Sequence, residues 1–446
     1  MKRLGLLAAL VLPLLLVALP STPFWFDEVF TANLVTFQQS PATVVRLVAE
    51  KDAHPPLFYL EALAWSHLVG TWGKALEGPP PDVEVKSRRL SLLNGALASA
   101  AVAASGPVGV LALWGSPDWW LKVREYRMYP LLGLFWVLAL LAAWRRRPTL
   151  AAWAGLGALL TQYLAFVLLV PLYLWLWWTQ GFRWRALTAY WPLLLFLVQL
   201  PTLLSQLGRG AANPLIRPDP LIILTAFNDF GGYGLGLALV ALLLLTALFR
   251  RHHPQEAVFY LLPFFGMVLW WGASLVVNLA SLRYLGAIMP PAAFVLGLAS
   301  QRWNPALRVG MLALLAASAA GTALWPPPPL NEHYDLARAI LRKVEEKSPP
   351  PPVLYGDSRG RLIALRYYHR GPTEFQMIAP DSAEKAAGQA KSGIPVFLYH
   401  FGPAVYMEIG RYMDQAYVEL RELGCWNRYL PLGVDLYYFW CRSGRN

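Results

Sequence analysis

Apolar runs recur along almost the whole of residues 1–325, and the short polar stretches that close them have their charges sorted by sign. No other feature limits the fold so strongly. Backbone N–H and C=O groups have no water partner in lipid, so repeated apolar segments must be helices that satisfy them internally. Hydrophobic residues make up 57% of the chain and charged residues only 14%, against about a quarter charged in an ordinary soluble domain. The net charge of +12 does not mark a nucleic-acid footprint. Residues 326–446 hold 15 basic and 13 acidic side chains, and the excess lies in residues 1–325, with 23 against 13, scattered between apolar runs. That is the pattern of topology signals, and no nucleic-acid partner is expected.

Met1-Lys2-Arg3 precedes the apolar run Leu4 to Pro20, read here as an uncleaved first span rather than a signal peptide. The basic start puts the N-terminus in the cytoplasm and the following segment outside. Residues 21–89 carry Asp27, Glu28, Glu50, Lys51, Asp52, Glu61, Asp82 and Glu84, too polar to span. They read as one long outer loop with short amphipathic helices lying along the interface. Spans are then expected near 90–104 and 106–116, both short of the roughly 20 residues of a full crossing. A charged outer segment covers 117–128, and the next span closes on Arg145-Arg146-Arg147. Further spans fall near 150–162, 163–179, 187–205, 231–249, 256–277, 284–300 and 306–325, about eleven in all. The loops so assigned to the inside hold Arg145–Arg147, Arg183, Arg185, Arg250, Arg251, Arg302 and Arg308, with Glu256 as their one acid. The other twelve acids of residues 1–325 all fall outside.

Trp325 to Pro329 is a stiff proline linker. Residues 330–446 read as a small extracytoplasmic α/β domain. Strands are expected at Val353–Tyr355, Leu362–Tyr368, Pro395–Tyr399 and Val434–Trp440, and helices at His333–Glu346 and Glu408–Leu423. Asp357-Ser358-Arg359-Gly360 reads as a plain turn. Cys425 and Cys441 are either a disulfide or two separate thiols.

Four stretches carry candidate chemistry. Asp27-Glu28 sits directly after the first span, where carboxylates are costly. These residues fit the first turn of an interfacial helix, and Asp27 also fits a general base. Asp52-Ala53-His54-Pro55-Pro56-Leu57 places a carboxylate and an imidazole ahead of a rigid helix start. Arg88-Arg89 enter a span from the outer side, against the usual bias, and suit either lipid headgroups or a donor phosphate. Arg124-Glu125-Tyr126-Arg127-Met128-Tyr129 repeats that oddity; an intrahelical ion pair is its structural alternative.

Together these stretches resemble the GT-C-fold glycosyltransferases that use polyprenyl-phosphate sugars, closest to family 39, the relatives of protein O-mannosyltransferases and lipid A aminoarabinose transferases. The resemblance rests on Asp27-Glu28 after the first span, on His54 to Leu57 with Asp52 two residues ahead, on Arg88, Ser91 and Gly95, and on Glu125, Arg127, Met128 and Tyr129. Arg283-Tyr284 also matches. It covers residues 1–145 by motif and 146–325 by hydropathy only.

The resemblance implies an all-α polytopic GT-C-like bundle over 1–325 and a membrane hexosyl- or pentosyltransferase acting on the non-cytoplasmic face. It implies Asp27 as base with Glu28 assisting, and transfer with inversion. Asp52, His54, Arg88, Arg89, Glu125, Arg127, Tyr129 and Arg283 would bind substrate or the donor phosphate. The acceptor would be lipid, glycan or protein. No cofactor or metal ligand set is demanded, although some members of the fold use a divalent cation. The competing readings are a flippase for a lipid-linked sugar and an inactive scaffold.

Overall fold

The computed structural model describes residues 2–21, 24, 26–36, 40–73, 82–210, 221, 227–228, 230–232, 234–275, 286–327, 341–342, 344–346, 351–356, 365, 372–379, 381–400, 407–422, 426–431 and 435–440. The chain divides into two compact units. The first comprises 1–20, 38–70 and 85–329; the second comprises 21–37, 71–84 and 330–446.

The first unit is helical. Lys2–Leu16 forms α1. Short helices occupy the 21–89 stretch: Pro41–Lys51 is α3 and Leu57–Leu68 is α4. Helix α3 starts where Ser40 accepts the Thr43 N–H and Pro41 fills the first helical position, a cap worth about 1 kcal/mol. It stops at Asp52, whose backbone is extended.

The expected short span from 90 is corrected. Val83–Ala103 is one helix of 21 residues, α5. Charged residues hid its first two turns from a hydropathy reading, and Arg88 and Arg89 therefore lie within the helix. Pro107–Gly115 (α6) has only nine residues, so it is short of a crossing as expected. Gly106 precedes it at φ +120°, a backbone conformation suited to glycine. Pro117–Val123 is α7, Tyr129–Trp144 is α8 and Pro148–Thr161 is α9. A short 3-10 turn at Tyr163–Ala165 leads into α10, Phe166–Thr179. The expected span at 187–205 is present, built from a 3-10 segment, Trp184–Gln199, that runs into α11, Leu200–Gly210. Helices follow at Gly236–Phe249, Pro254–Ser274, Met289–Ser300 and Pro305–Leu324. Among the described residues three helical stretches are long and apolar enough to cross a membrane, Leu187–Gln206, Pro254–Ser274 and Pro305–Leu324.

The loops assigned by charge to the inside do converge. Arg302 Nε lies 3.0 Å and Arg250 Nε 3.8 Å from Glu256 Oε1. Arg146 donates to Gln255 Oε1 at 3.0 Å and lies over the Trp175 ring. The Arg145 end of α8 thus belongs to one rim of the bundle, and its Tyr129 end leads to the candidate site.

The second unit holds α2, Phe26–Thr36, and a mixed five-stranded sheet of order β2-β1-β3-β5-β4. Its strands are Val353–Gly356 (β1), Glu374–Met377 (β2), Val396–His400 (β3), Trp426–Pro431 (β4) and Asp435–Trp440 (β5). Strand β1 runs parallel to both neighbours, Val353 opposite Glu374 and Val396; β5 is antiparallel to β3 and β4. Helices Ser382–Lys391 and Met407–Glu422 pack with it on a core of Val353, Tyr355, Ala386, Val396, Leu398 and Leu420. Three of the expected strands and the 408–423 helix are present. The sequence reading missed β2, β4 and the 382–391 helix, because short polar-rich segments give no periodicity. The expected strand at 362–368 and helix at 333–346 fall almost wholly outside the described residues, and the turn at 357–360, Cys425 and Cys441 lie wholly outside them.

Candidate functional site

Asp52 is the hub of the site in the first unit. Its Oδ1 accepts from Ala53 N at 2.8 Å and meets His54 Nδ1 at 2.9 Å. Its Oδ2 accepts from the hydroxyl of Tyr59, one turn into α4. Pro55 and Pro56 fix the chain between the two. The side chains of Asp52 and His54 are 14% and 12% exposed, so His54 is held rather than solvated. Burial pushes the Asp52 carboxyl up, but the charge and hydrogen bond of His54, the charge of Arg127 and the Tyr59 hydroxyl outweigh it. The group is held well below the usual carboxylate range, at about 2. Asp52 is therefore a permanent anion that orients His54, not a proton carrier at neutral pH.

The spacing of Arg88, Ser91 and Gly95 on α5 has a physical explanation. Ser91 Oγ donates to the Arg127 carbonyl at 3.1 Å and accepts the Arg127 N–H at 3.2 Å. A Cβ on Gly95 would stand 2.4 Å from Val123 Cγ1, so α7 packs at this position only against glycine. One face of α5 thereby fixes the 123–127 turn. Arg88 is 1% exposed and donates from Nη1 to the Pro20 carbonyl at 2.8 Å.

Arg124 opens the fourth candidate stretch but is not among the residues expected to bind substrate. It is 8% exposed and donates from Nη1 to the Pro327 carbonyl at 2.7 Å. Its Nε is buried without a hydrogen-bond partner among the described residues. Burial, and after it the charge of Arg88, pulls its guanidinium below the usual arginine value. Two buried guanidinium groups therefore lie within electrostatic reach of one another, and the unsatisfied Arg124 Nε is a donor that an anion could use.

Glu125 and Tyr129 have structural partners. Lys122 Nζ lies 3.2 Å from both Glu125 oxygens, with each side chain 6% exposed, and it also stands over the Tyr129 ring. The cation paired with Glu125 here, Lys122, lies outside the 124–129 stretch, on α7. Arg89 is exposed, unlike Arg88. Arg283 lies outside the described residues. In the second unit, Asp27 and Glu28 occupy the first turn of α2, where acids complement the helix dipole; Glu28 is fully buried and Asp27 half-buried. Among the described residues no three His, Cys, Asp or Glu side chains group to hold a metal.

Glu61, Gln206 and Tyr163 also surround this region, and nothing in the sequence singled them out. Asn94 of α5 donates to Glu61. Gln206 of α11 reaches the His54 carbonyl. Tyr163 lies within electrostatic reach of Asp52. All three depend on contacts across 33 residues or more, which local pattern does not encode.

No family model matches the sequence. No curated protein matches it either. Solved structures do. ArnT from Cupriavidus metallidurans bound to undecaprenyl phosphate superposes with a TM-score of 0.59 at 13% identity, over 98% of this chain and 97% of ArnT. Its apo form gives 0.60 at 12% over the same shares. Archaeal oligosaccharyltransferase AglB from Archaeoglobus fulgidus, in complex with an inhibitory peptide and a dolichol-phosphate, gives 0.53 at 10%, over 98% of this chain and 74% of AglB. Identities this low speak to architecture alone, and the architecture is the GT-C glycosyltransferase fold.

Proposed function

We propose that this protein is a membrane glycosyltransferase that moves a sugar from a polyprenyl-phosphate donor to an acceptor hydroxyl. The buried pair Arg88 and Arg124 carries the reading, set in a fold shared from end to end with a protein solved with undecaprenyl phosphate. A lipid phosphate suits the Arg124 Nε, which is buried without a hydrogen-bond partner among the described residues. Arg127 is tied by its backbone to Ser91 on the same helix as Arg88 and lies within electrostatic reach of Asp52. As the sugar–phosphate bond breaks, charge grows on the leaving oxygen, and fixed guanidinium groups stabilise it without reorganisation.

Asp27 is the base in this reading, with Glu28 assisting. The acceptor oxygen attacks the anomeric carbon, its proton passes to Asp27, and polyprenyl phosphate departs with the bonding electrons, inverting the anomeric centre. The N-terminus is cytoplasmic, the spans number about eleven, and residues 330–446 face the other side. The sugar is a hexose or pentose, within the family 39 type of chemistry, and the acceptor is lipid, glycan or protein.

The test uses membranes from cells with and without the gene, compared by mass analysis of glycolipids and glycoproteins. A sugar-bearing product should vanish without the gene and return with wild type but not with Asp27→Asn. Return with Asp27→Asn refutes the base; identical glycan profiles with and without the gene refute the transferase.

A further inference from the structure

The Asp52–His54 turn is gripped from a direction the proposed chemistry does not use. Gln206 on α11 is 4% exposed, and its Nε2 donates to the carbonyls of Val48 and His54, each at 3.4 Å. Those two carbonyls fix which end of the amide is which, because a flipped amide would set oxygen against oxygen. The other end, Oε1, is buried and has no hydrogen-bond partner among the described residues. The Tyr163 hydroxyl is likewise buried without one. Its ring packs edge-on against Phe196, in the 3-10 segment that runs into α11. Helix α4, which carries Tyr59 against Asp52, packs on α9, and α9 ends at the Gln162-Tyr163 corner. Gln206 Oε1 thus stands oriented and unsatisfied beside the turn, and the unsatisfied Tyr163 hydroxyl lies within electrostatic reach of Asp52 in that turn; buried polar atoms are rarely left unpaired.

The chemistry of these atoms selects their ligand. Amide Oε1 only accepts, so it calls for a donor. It stands beside the turn that holds the Asp52 carboxylate, where a second anion would be repelled. A bare phosphate is therefore excluded here, whereas Arg88 and Arg124 favour one. Asp52 already accepts from Ala53, His54 and Tyr59, which leaves little capacity for a cation. A neutral polyol fits: its hydroxyls donate to Gln206 Oε1 and either donate to or accept from Tyr163 Oη.

We propose that Gln206 and Tyr163 bind hydroxyl groups of the donor sugar, and so read the sugar separately from the phosphate. This rests on the lipid-phosphate donor reading above. Gln206 has a second effect: its amide ties α11 to the His54 carbonyl, so engagement of the sugar is coupled to the position of the turn.

The experiment measures binding to the full-length protein in lipid nanodiscs. The probes are undecaprenyl phosphate alone and undecaprenyl phosphates bearing mannose, glucose or arabinose. In wild type at least one sugar should tighten binding over the bare lipid phosphate. Tyr163→Phe, which keeps the ring on Phe196, and Gln206→Met, which keeps the volume, should each remove roughly tenfold of that gain, as for a lost hydrogen bond to a buried group. Tyr163→Phe should leave bare undecaprenyl phosphate affinity unchanged, a split that mere loosening of the fold would not give. Equal loss for all probes, or full retention of the sugar gain in both variants, overturns the proposal. So does a wild type that gains from none of the three sugars. Failure of wild type to bind any of the four probes removes the donor reading itself, and this proposal with it.

Discussion

Glu61 on α4 accepts both its hydrogen bonds from one donor group, Asn94 Nδ2 on α5, at 3.1 Å to Oε1 and 3.0 Å to Oε2. Asn94 is 3% exposed. Burial pushes the Glu61 carboxyl up to about 7, and the Asn94 amide offsets only part of that. The folded value lies above the unfolded one. Glu61 therefore binds its proton more tightly in the folded state. Its contribution to stability is complete below the ordinary glutamate value near 4.5 and is lost as pH rises through 7. Thermal unfolding in detergent should show this loss between pH 5 and pH 8.5, on the order of 2 kcal/mol. In Glu61→Gln the dependence over that window should flatten. An unchanged pH slope in the variant would show that another group titrates there.

Asp52 has the opposite sign. Its folded value is depressed to about 2, so its stabilising contribution is present above the ordinary aspartate value near 3.8 and fades as pH falls through 2. At neutral pH, Asp52→Asn should unseat His54 and leave the imidazole without its orienting anion. Turnover should fall by roughly tenfold to a hundredfold, as a charge-assisted hydrogen bond that positions an expected substrate-binding side chain is lost. Tyr59→Phe removes one donor to the same carboxylate and should cost about tenfold. A greater loss for Tyr59→Phe than for Asp52→Asn would show that the hub is misassigned.

These two carboxylates show what the sequence conveys and what it hides. The Asp52–His54 pair is two residues apart with prolines behind it, so local spacing reveals it. Glu61 also stands in the sequence as one of the acids of the outer loop, yet its unusual titration arises from Asn94, 33 residues away on another helix. The same holds for the arginines. Arg88 draws notice because it enters a span from the wrong side. Arg124 does so only through its burial and its nearness to Arg88. Helix extent fails for a related reason: α5 begins at Val83, and its first turns carry Glu84, Lys86, Ser87, Arg88 and Arg89, of which Ser87 and Arg88 are buried against the protein; hydropathy scores such turns as loop.

Lys122 and Glu125 form a buried pair three residues apart, each side chain 6% exposed. Removing one member strands a charge in a poorly solvated site, which typically costs about 3–5 kcal/mol. Lys122→Met and Glu125→Gln should each lower the melting temperature and the yield of folded protein. The double variant should recover much of the loss. A catalytic Glu125 would show a different pattern: Glu125→Gln would abolish turnover while melting like wild type. The two measurements on one variant decide between the structural and the chemical role.

Arg88 and Arg124 supply the sharpest test of where the donor phosphate sits. Arg124 is buried with its Nε unsatisfied among the described residues, and a bound anion gives that donor a partner. Undecaprenyl phosphate should therefore raise the melting temperature of wild type. The increase should shrink in Arg124→Met, with affinity falling by roughly tenfold to a hundredfold as one charge-assisted contact is lost. Unliganded Arg124→Met should melt no lower than wild type, since it loses one hydrogen bond to Pro327 but also the repulsion from Arg88. Arg124→Lys keeps the charge and loses the fork of donors, so it should fall between the two. A melting increase with lipid phosphate that is the same in wild type and Arg124→Met would place the anion elsewhere in the bundle.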